Sequence, residues 1–588
     1  MYMQYPITWD LESIFAGGSQ SEAFSDFLKE TNGLLDRWQE TEAASVDIQE
    51  LVTAIEQTFP RLAHASAFVS CLLAQNVKDE TARLRQEQVQ ELEVKWQKLN
   101  LLLEEKLKPI DDQAFASLLE EEAMKPSAFM LEKARKRAAD KMSADKEELA
   151  TKLAKDGYHA WGSVYNEAVG RMEIPFEENG EVKHLSAGQL HNRLSNEDRS
   201  VRKRAYEASL QAWAQQAPLI TQTLNRLAGF RLKLYEERGW DNVLKEPLDI
   251  NLISEETLTT MWDTITKNKS KLYPYMDKKA ELLGLEKLSL FDVNAPLPTS
   301  ETSKNDIPYE EACELIIKHF NRFSPKMAEF AEMALSNGWV EAENRAGKRP
   351  GGFCTTFPLR QESRIFMTYD GSMDNVATLA HELGHAYHSW CLKDMPVTSQ
   401  KQYPMSIAET ASTFAEMIVA DALVSEAESP DVKRYLLENK LSRSLAFFMN
   451  IHSRFLFETR FYEERKQGIV PTERLNELMV EAQKEAYGNK VEAYDPYFWA
   501  SKLHFHITKQ PFYNFPYTFG YLFSMGLYAR ALKAGASFED NYIALLQDSG
   551  SMTAEQLAQK HLQVDLTKPD FWQEAIDVVL KDSHQFVQ

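Results

Sequence analysis

The sequence predicts a large, mainly helical protein that carries one small sheet close to its chemically distinctive segment. Long stretches place apolar residues three and four positions apart among Glu, Lys, Ala and Gln, which is the pattern of amphipathic helices. Extended runs bounded by glycines are confined to a few short segments. Hydrophobic residues make up 44% of the 588 residues and aromatic residues 11%, enough to build a large core.

The first part of the chain predicts a helical lobe that ends in a hairpin. Helical periodicity runs from about Ser21 to Gly170 and is clearest in "RLRQEQVQELEVKWQKLNLLLEEKLKPI". The stretch "RMEIPFEENGEVKHLS" (171–186) then places Asn179-Gly180 between two short extended runs, which indicates a β-hairpin. We therefore expect an N-terminal helical lobe over residues 1–190 and a second helical domain over residues 191–588.

A small sheet is predicted in the second region. After a Pro-, Ser- and Thr-rich loop at 286–308, the segments "AGKRPGGFCTTFP" (346–358) and "SRIFMTYDG" (363–371) read as strands. The glycines of "GGFCTT" suit contact between main chains, so this strand could pair with the backbone of a bound peptide or simply form a turn.

The segment "TLAHELGHAYHSW" (378–390) follows this sheet and has helical periodicity. Asp374 is the expected N-cap of its helix. His381 and His385 are four residues apart, so both imidazoles project from one side of the helix and can bind one metal ion. A core face is predicted for Val376, Leu379, Ala380, Leu383, Tyr387 and Trp390.

This spacing is the HExxH pattern of zinc hydrolases. Zinc held by three protein groups keeps a fourth position for water and lowers the pKa of that water to about 7. Glu382, next to the first histidine but displaced around the helix, is placed to take the proton of the water and pass it to a leaving amine. The pattern therefore predicts one zinc ion with Glu382 as the general base.

The sequence also leads to a specific prediction for each of two further residues of this helix. Gly384 costs roughly 1 kcal/mol relative to alanine inside a helix, so we expect another backbone or the substrate to approach it closely. His388 shares the stripe of the ligand histidines but lies about 10 Å along the axis from His381. All three imidazoles cannot converge on one ion, so His388 is predicted to support or pack against the site.

The third ligand must come from another segment, and "PMSIAETASTFAEMIVADALVS" (404–425) is the candidate. It contains no lysine or arginine, and its two glutamates at 409 and 416 face away from the apolar stripe. Carboxylates in an apolar, cation-free helix predict a buried cation as their partner. We predict Glu409 as the third ligand, while Glu416 could orient a ligand histidine or lie at the surface.

The residues quoted above carry a family resemblance. "TLAHELGHAYH" followed by "IAETASTFAE" resembles the oligoendopeptidase F branch of the thimet-oligopeptidase family of zinc metallopeptidases. "TWDLESIFAGG" near the start and "PFYNFPYTFGYLFSMGLY" near the end are also similar to that branch. The resemblance therefore covers nearly the full length.

The resemblance implies a large helical ellipsoid with a deep central channel that admits short, unstructured peptides. It implies His381, His385 and Glu409 as zinc ligands and Glu382 as the general base, in agreement with the residue patterns. It also places a histidine and tyrosines of a late segment over the scissile carbonyl, here "HFHITKQPFYNFPYTFGY" (504–521). Tyr513 is the predicted oxyanion donor and His506 the predicted histidine. The alternatives left open are His504 in place of His506, and donor or core roles for Tyr517 and Tyr521.

Composition narrows the range of partners. The net charge of −22 repels phosphate backbones and anionic lipid surfaces, so neither nucleic acid nor membrane is expected as a partner. The first fifteen residues lack the basic and apolar regions of a signal peptide, and four widely spaced cysteines suit a reducing compartment. We therefore expect a cytoplasmic protein.

These observations predict a cytoplasmic zinc endopeptidase that hydrolyses internal bonds of oligopeptides. One alternative is a zinc carboxypeptidase or dipeptidyl carboxypeptidase, which needs a cation to hold the free carboxylate of its substrate; the sequence assigns none. Another alternative is a helical scaffold protein with a coincidental motif, against which the complete set of two histidines, base and downstream glutamate argues.

Overall fold

The computed structural model describes residues 5–178, 180–298 and 307–588. Helices make up most of this part of the chain, so the mainly helical prediction is confirmed. No helix among these residues is long and apolar enough to cross a membrane. The α-helices are α1 (Glu22–Asp36), α2 (Ile48–Gln75), α3 (Glu80–Leu107), α4 (Asp112–Glu120), α5 (Ala128–Asp140), α6 (Ala144–Ala154), α7 (Ala160–Gly170), α8 (Ala187–Asn192), α9 (Arg199–Arg238), α10 (Lys245–Asn251), α11 (Glu255–Asn268), α12 (Tyr273–Leu282), α13 (Tyr309–Phe323), α14 (Pro325–Ser336), α15 (Met373–Cys391), α16 (Met405–Glu426), α17 (Pro430–Leu445), α18 (Ile451–Arg465), α19 (Thr472–Ala486), α20 (Phe498–Ser501), α21 (Phe515–Ala534), α22 (Glu539–Asp548), α23 (Ala554–Leu562) and α24 (Pro569–Val587).

Two small sheets accompany the helices. Strands β1 (Ile174–Glu178) and β2 (Glu181–Leu185) form the predicted antiparallel hairpin, although Asn179 of its turn lies outside the described residues, as do residues 299–306 of the predicted 286–308 loop. The second sheet precedes α15, as predicted. Its order is β3-β5-β4, with β5 parallel to β3 and antiparallel to β4, and its strands are β3 (Val340–Glu341), β4 (Phe353–Phe357) and β5 (Glu362–Phe366).

The chain divides into two compact units, and neither is continuous in sequence. The first unit consists of Met1–Lys141, Lys304–Ala422 and Arg530–Gln563. The second consists of Met142–Ser303, Leu423–Ala529 and Val564–Gln588. The predicted boundary at residue 190 does not coincide with this division. Periodicity and turn signals detect only where consecutive segments change character, whereas each unit joins three separate stretches.

The three-stranded sheet of the first unit is fixed to the helical core and to the start of the chain. Phe357 and Phe366 belong to the same buried cluster as the apolar face of α2. The ring of Trp9, from the "TWDLESIF" segment, lies 5.7 Å from that of Phe366. The guanidinium of Arg364 donates hydrogen bonds of 3.0 and 3.1 Å to the carbonyl oxygen of Asp10. The early segment therefore supports the strands that lead into α15.

Helix α15 begins two residues earlier than the predicted cap implies. Ser372 is the N-cap, and its hydroxyl accepts a hydrogen bond from the main-chain nitrogen of Asn375. The prediction of Asp374 as the cap was wrong. Asp374 instead occupies the first turn, where a carboxylate still interacts favourably with the helix dipole. The predicted core face is buried, except that Trp390 is only half-buried.

Candidate active site

Helices α15 and α16 of the first unit bring the three predicted metal ligands together. The rings of His381 and His385 lie 4.9 Å apart at 84°. Atom Nε2 of His381 is 3.3 Å from Oε2 of Glu409, and Nε2 of His385 is 3.7 Å from the same oxygen. The three ligand atoms all lie within 4.8 Å of one another. Helical spacing thus supplies the two imidazoles, and the neighbouring helix supplies the carboxylate.

Gly384 allows the two helices to approach closely enough for this arrangement. A Cβ atom at Gly384 would lie 2.5 Å from the carbonyl oxygen of Ala411 and 2.6 Å from Cα of Ser412. The predicted close approach of another backbone at this glycine is confirmed. The hydroxyl of Ser412 also donates a 3.0 Å hydrogen bond to Oε2 of Glu409. Sequence reasoning missed this contact, although the three-residue spacing between the two side chains could have indicated it.

Substituting Gly384→Ala is expected to destabilise the protein by about 1–3 kcal/mol and to weaken metal binding. The added methyl group overlaps the main chain of α16, so the helices must separate and Glu409 must move away from the histidines. Chemical unfolding and metal titration measure the two effects. Gly33→Ala in α1 is the matched control, since a Cβ there meets nothing within 4 Å. That variant should gain roughly 0.5–1 kcal/mol. Unchanged stability and metal affinity for Gly384→Ala would contradict this packing argument.

The two separations between Glu409 and the histidines are those expected around one zinc ion. Zinc bonds near 2.0–2.1 Å at tetrahedral angles separate two ligand atoms by about 3.4 Å. The observed 3.3 and 3.7 Å separations from Glu409 Oε2 match this value. Two imidazoles and a carboxylate are also the donor set of several catalytic zinc sites, which leave a fourth position open. Among the described residues, these three side chains are the group that could hold an ion.

Two carboxylates contact His381, and their negative charge favours a positive charge at this cluster. Burial alone would lower the pKa of His381, but hydrogen bonds with Glu409 and Glu416 outweigh burial and raise this pKa to about 9. Burial raises the pKa of Glu409, yet its contacts with His381 more than reverse this and lower it to about 2. Burial and the neighbouring His381 lower the pKa of His385 to about 4.

Glu416 lies on α16, seven residues after Glu409, and its carboxylate contacts the ring of His381. Its Oε2 is 3.1 Å from Nδ1 of His381, and the residue is only 7% exposed. A proton on Nδ1 that is donated to this carboxylate leaves the lone pair of Nε2 directed towards Glu409 and the site. Such carboxylate–histidine contacts fix the tautomer and orientation of a ligand imidazole. Of the two roles considered for Glu416, the geometry supports the orienting role.

Substituting Glu416→Gln is expected to reduce zinc affinity roughly 10- to 100-fold while the fold is retained. Glutamine keeps the size of the side chain but removes the charge that holds the Nδ1 proton of His381. Competition with a chelating indicator measures the dissociation constant. Glu329→Gln, an exposed position on α14, is the matched control and should bind zinc like the wild type. Equal affinities in the two variants would show that Glu416 does not orient His381.

Glu382 lies on α15 between the two histidines and faces the start of β4. It is 7% exposed. A Cβ atom at Gly352 would lie 3.3 Å from Oε1 of Glu382 and 3.2 Å from the carbonyl oxygen of Phe366. The glycine therefore leaves the space that this carboxylate occupies. Glu382 is not part of the group that could hold the ion.

His388 also lies outside the ligand group, as predicted. It is fully buried, and its ring stacks on that of Tyr403 at a centroid distance of 3.9 Å. Its Nε2 shares a 2.9 Å hydrogen bond with the hydroxyl of Ser549. His388 therefore packs the metal helix against a segment from late in the chain.

The second unit contains the residues predicted to stabilise the oxyanion. The ring of His504 lies 5.6 Å from that of Tyr513 and 6.2 Å from that of Tyr517, and the two tyrosine rings are 5.9 Å apart. All three side chains are partly exposed. Phe512, immediately before Tyr513, has φ of 50°, a left-handed conformation that is strained for a bulky residue.

His506 and Tyr521 of the same segment have different surroundings. His506 is 1% exposed, and its ring stacks on Tyr165 at 3.8 Å. Its Nδ1 shares a 3.4 Å hydrogen bond with the hydroxyl of Thr223. Tyr521 is 3% exposed and shares a 2.7 Å hydrogen bond between its hydroxyl and that of Ser444. Both side chains are packed in the interior of the second unit.

An HExxH helix with a glutamate from the next helix beside its two histidines is the arrangement of a metallopeptidase. The sequence comparisons agree with this class. Residues 193–578 match the model of peptidase family M3, and residues 106–174 match that of oligopeptidase F. The chain belongs to peptidase family M3.

Bacterial oligopeptidases match this chain over nearly its full length. The chain is 23% identical to oligopeptidase PepF of Bacillus subtilis over 573 residues, which cover 96% of this chain and 84% of that protein. It is 22% identical to an oligoendopeptidase F homolog of Lactococcus lactis over 585 residues, which cover 97% and 95%. The solved structure of oligoendopeptidase-F from Enterococcus faecium has the same fold, with a TM-score of 0.70, 20% identity and 96% coverage of both chains. The predicted oligoendopeptidase F resemblance is confirmed.

Proposed function

We propose that this metallopeptidase is a cytoplasmic zinc endopeptidase that cleaves internal bonds of short, unstructured peptides. The observation that carries the proposal is the approach of His381, His385 and Glu409 to within 4.8 Å of one another. The names of the bacterial relatives support peptides as the substrate class. The net charge of −22 argues against nucleic acid and anionic membranes as partners.

One zinc ion fits the donor set, with His381, His385 and Glu409 as its protein ligands. Zinc supplies a Lewis acid that polarises the scissile carbonyl and makes a water molecule acidic near neutral pH. Glu416 keeps the imidazole of His381 in the tautomer that presents Nε2 to the site. Ser412 holds Oε2 of Glu409 by its hydrogen bond.

Glu382 is the general base in this proposal. It follows His381 directly in the helix, so its carboxylate lies beside the ligands without joining them. The carboxylate accepts a proton from the attacking water and later donates it to the nitrogen of the leaving amine. Gly352 leaves room for this carboxylate at the start of the edge strand β4.

In this proposal the phenolic O–H of Tyr513 donates a hydrogen bond to the oxyanion that forms from the scissile carbonyl. For its histidine partner we favour His504 over the predicted His506. His504 is partly exposed and lies beside Tyr513 and Tyr517, whereas His506 is enclosed by Tyr165 and Thr223. Burial, with Arg454 and Lys502 nearby, lowers the pKa of His504 to about 4, so a neutral imidazole is present at pH 7 and its N–H can donate.

Digestion of a mixed peptide library, followed by mass spectrometry, tests this function. Half of the peptides should be blocked at both ends, and the reaction should run with and without a chelator. We expect cuts at internal bonds of blocked peptides, loss of all cutting with chelator, and recovery after zinc is restored. Strict dependence on a free C-terminus would overturn the endopeptidase assignment, and cutting that persists without metal would overturn the zinc mechanism.

A further inference from the structure

A cavity of about 660 Å³ lies within the second unit, and the function proposed above assigns no ligand to it. Its walls are formed by α7, α8, α9, α18 and the segment before α21. Aromatic rings cover much of this surface, among them Tyr165, Trp213, Phe447 and Phe498. Pockets of this size with apolar walls and a few polar groups are typical of ligand sites.

Two cationic side chains line this cavity. The guanidinium carbon of Arg454 is 5.2 Å and the ammonium of Lys502 is 4.6 Å from the ring centre of Phe498. Arg454 donates hydrogen bonds of 2.9 Å to the side-chain oxygens of Asn450 and Asn514, which are neutral amides. These bonds hold the guanidinium in place without neutralising its charge.

Neither cation forms an ion pair with a carboxylate in the described part of the chain, although Asp495 lies close enough to raise the pKa of Lys502. Nitrogen Nη2 of Arg454 makes no hydrogen bond there, and neither does Nζ of Lys502, so both keep donors for a ligand. Burial lowers the pKa of Lys502 to about 8 and that of Arg454 to about 10. An anion in the cavity would favour the charged forms that burial disfavours.

The cavity is cationic in a strongly acidic protein. Asp495 is the carboxylate among its lining residues, and burial raises the pKa of Asp495 to about 6. The cavity is thus lined by two cationic side chains and by one carboxylate whose ionisation is disfavoured by burial, whereas the whole chain has a net charge of −22. Both cations are half-buried, so their charged forms are partly desolvated, and a ligand carboxylate that accepts their hydrogen bonds would offset that cost.

We propose that this cavity binds a carboxylate group of a peptide through Arg454 and Lys502. The carboxylate belongs either to the C-terminus of the peptide or to an aspartate or glutamate side chain. The aromatic walls suit the apolar atoms next to that group. The identity of the ligand as a peptide rests on the proposed function, whereas the anion preference rests on the cavity alone.

Equilibrium binding to the zinc-loaded Glu382→Gln protein tests this proposal without hydrolysis. The probes are acetyl-Ala-Ala-Phe-Ala-Ala as the free acid, the same peptide as the C-terminal amide, and an amide with glutamate as the last residue. Calorimetric titration should show that a carboxylate-bearing probe binds roughly 10- to 100-fold more tightly than the neutral amide. Preference for the free acid identifies the C-terminus as the source, and preference for the glutamate amide identifies a side chain.

Variants of the two cations separate the cavity from other sites. Arg454→Gln and Lys502→Gln, each added to Glu382→Gln, should abolish most of the carboxylate preference and leave binding of the neutral amide unchanged. Lys484→Gln, an exposed lysine of α19, is the matched control and should keep the preference. Lys502 makes no side-chain hydrogen bond in the described chain, so its variant remains informative if loss of the Arg454 bonds to Asn450 and Asn514 prevents folding.

Two results would overturn the proposal. Equal binding of all three probes would exclude a carboxylate site, and a preference that survives both substitutions would place the site elsewhere. Failure of the proposed function gives a different result, because a wild-type protein that cuts no peptide can still show the carboxylate preference. A strong preference for the free acid would also identify Arg454 and Lys502 as the cations that the carboxypeptidase alternative requires.

Discussion

Replacement of Glu382 by glutamine is expected to lower kcat by about 10²- to 10⁴-fold while the protein keeps its fold and its zinc. Glutamine occupies the same volume beside Gly352 but cannot accept a proton, so water loses its base and the leaving amine loses its acid. Steady-state hydrolysis of a blocked fluorogenic peptide measures the rate, and elemental analysis measures bound zinc.

The control for this experiment is Glu311→Gln, an exposed carboxylate in the first turn of α13. It changes the same charge in the same unit and should leave both measurements unaltered. A Glu382→Gln protein that keeps more than about a tenth of wild-type kcat would contradict the assigned role, since general-base catalysis contributes at least about 10²-fold. Loss of zinc from the variant would instead show that Glu382 supports the metal.

Substitution of Glu409→Ala is expected to remove stable zinc binding and, with it, activity. Only two imidazoles then remain, and catalytic zinc sites have three protein ligands. Zinc at a hundred times its dissociation constant stabilises a folded protein by about 2.7 kcal/mol, so the wild-type melting temperature should rise on zinc addition. The variant should lack this rise, as scanning calorimetry of metal-free protein with and without zinc will measure.

Glu314→Ala serves as the control, because it removes an exposed glutamate from the middle of α13. Its response to zinc should equal that of the wild type. Retention of one tightly bound zinc by Glu409→Ala would show that another group is the third ligand. The size of the melting shift also gives the dissociation constant of the site independently of catalysis.

Helical periodicity explains why the metal helix could be predicted from the sequence. The four-residue spacing of His381 and His385 fixes both imidazoles on one side of any helix, whatever its tertiary setting. Glu409 could be predicted because a carboxylate in a helix without cations needs a buried partner. The hydrogen bond from Ser412 to Glu409 was missed, although the three-residue spacing of the two side chains on one helix could have indicated it. These inferences use local geometry and burial energy, which the residue types largely determine.

Features that depend on the three-dimensional path of the chain were not predictable. His504 and His506 are two residues apart in one short helical turn, and their surroundings differ through residues distant in sequence: Tyr165 and Thr223 enclose His506, whereas His504 lies beside Tyr513. The cavity cations were missed for a similar reason. Arg454 and Lys502 are 48 residues apart, and in sequence each resembles an ordinary surface residue.

The interleaving of the first unit has a consequence for synthesis on the ribosome. Ser549, which bonds His388 on the metal helix, lies 161 residues after it in the chain. The close contact of Gly550 with the main chain of Gln400 comes from the same late segment. Because the ribosome adds roughly 5–20 residues per second, the segment that contains Ser549 is synthesised about 8–30 s after the metal helix. In a nascent chain the surface of the metal helix around His388 therefore lacks this cover during that interval.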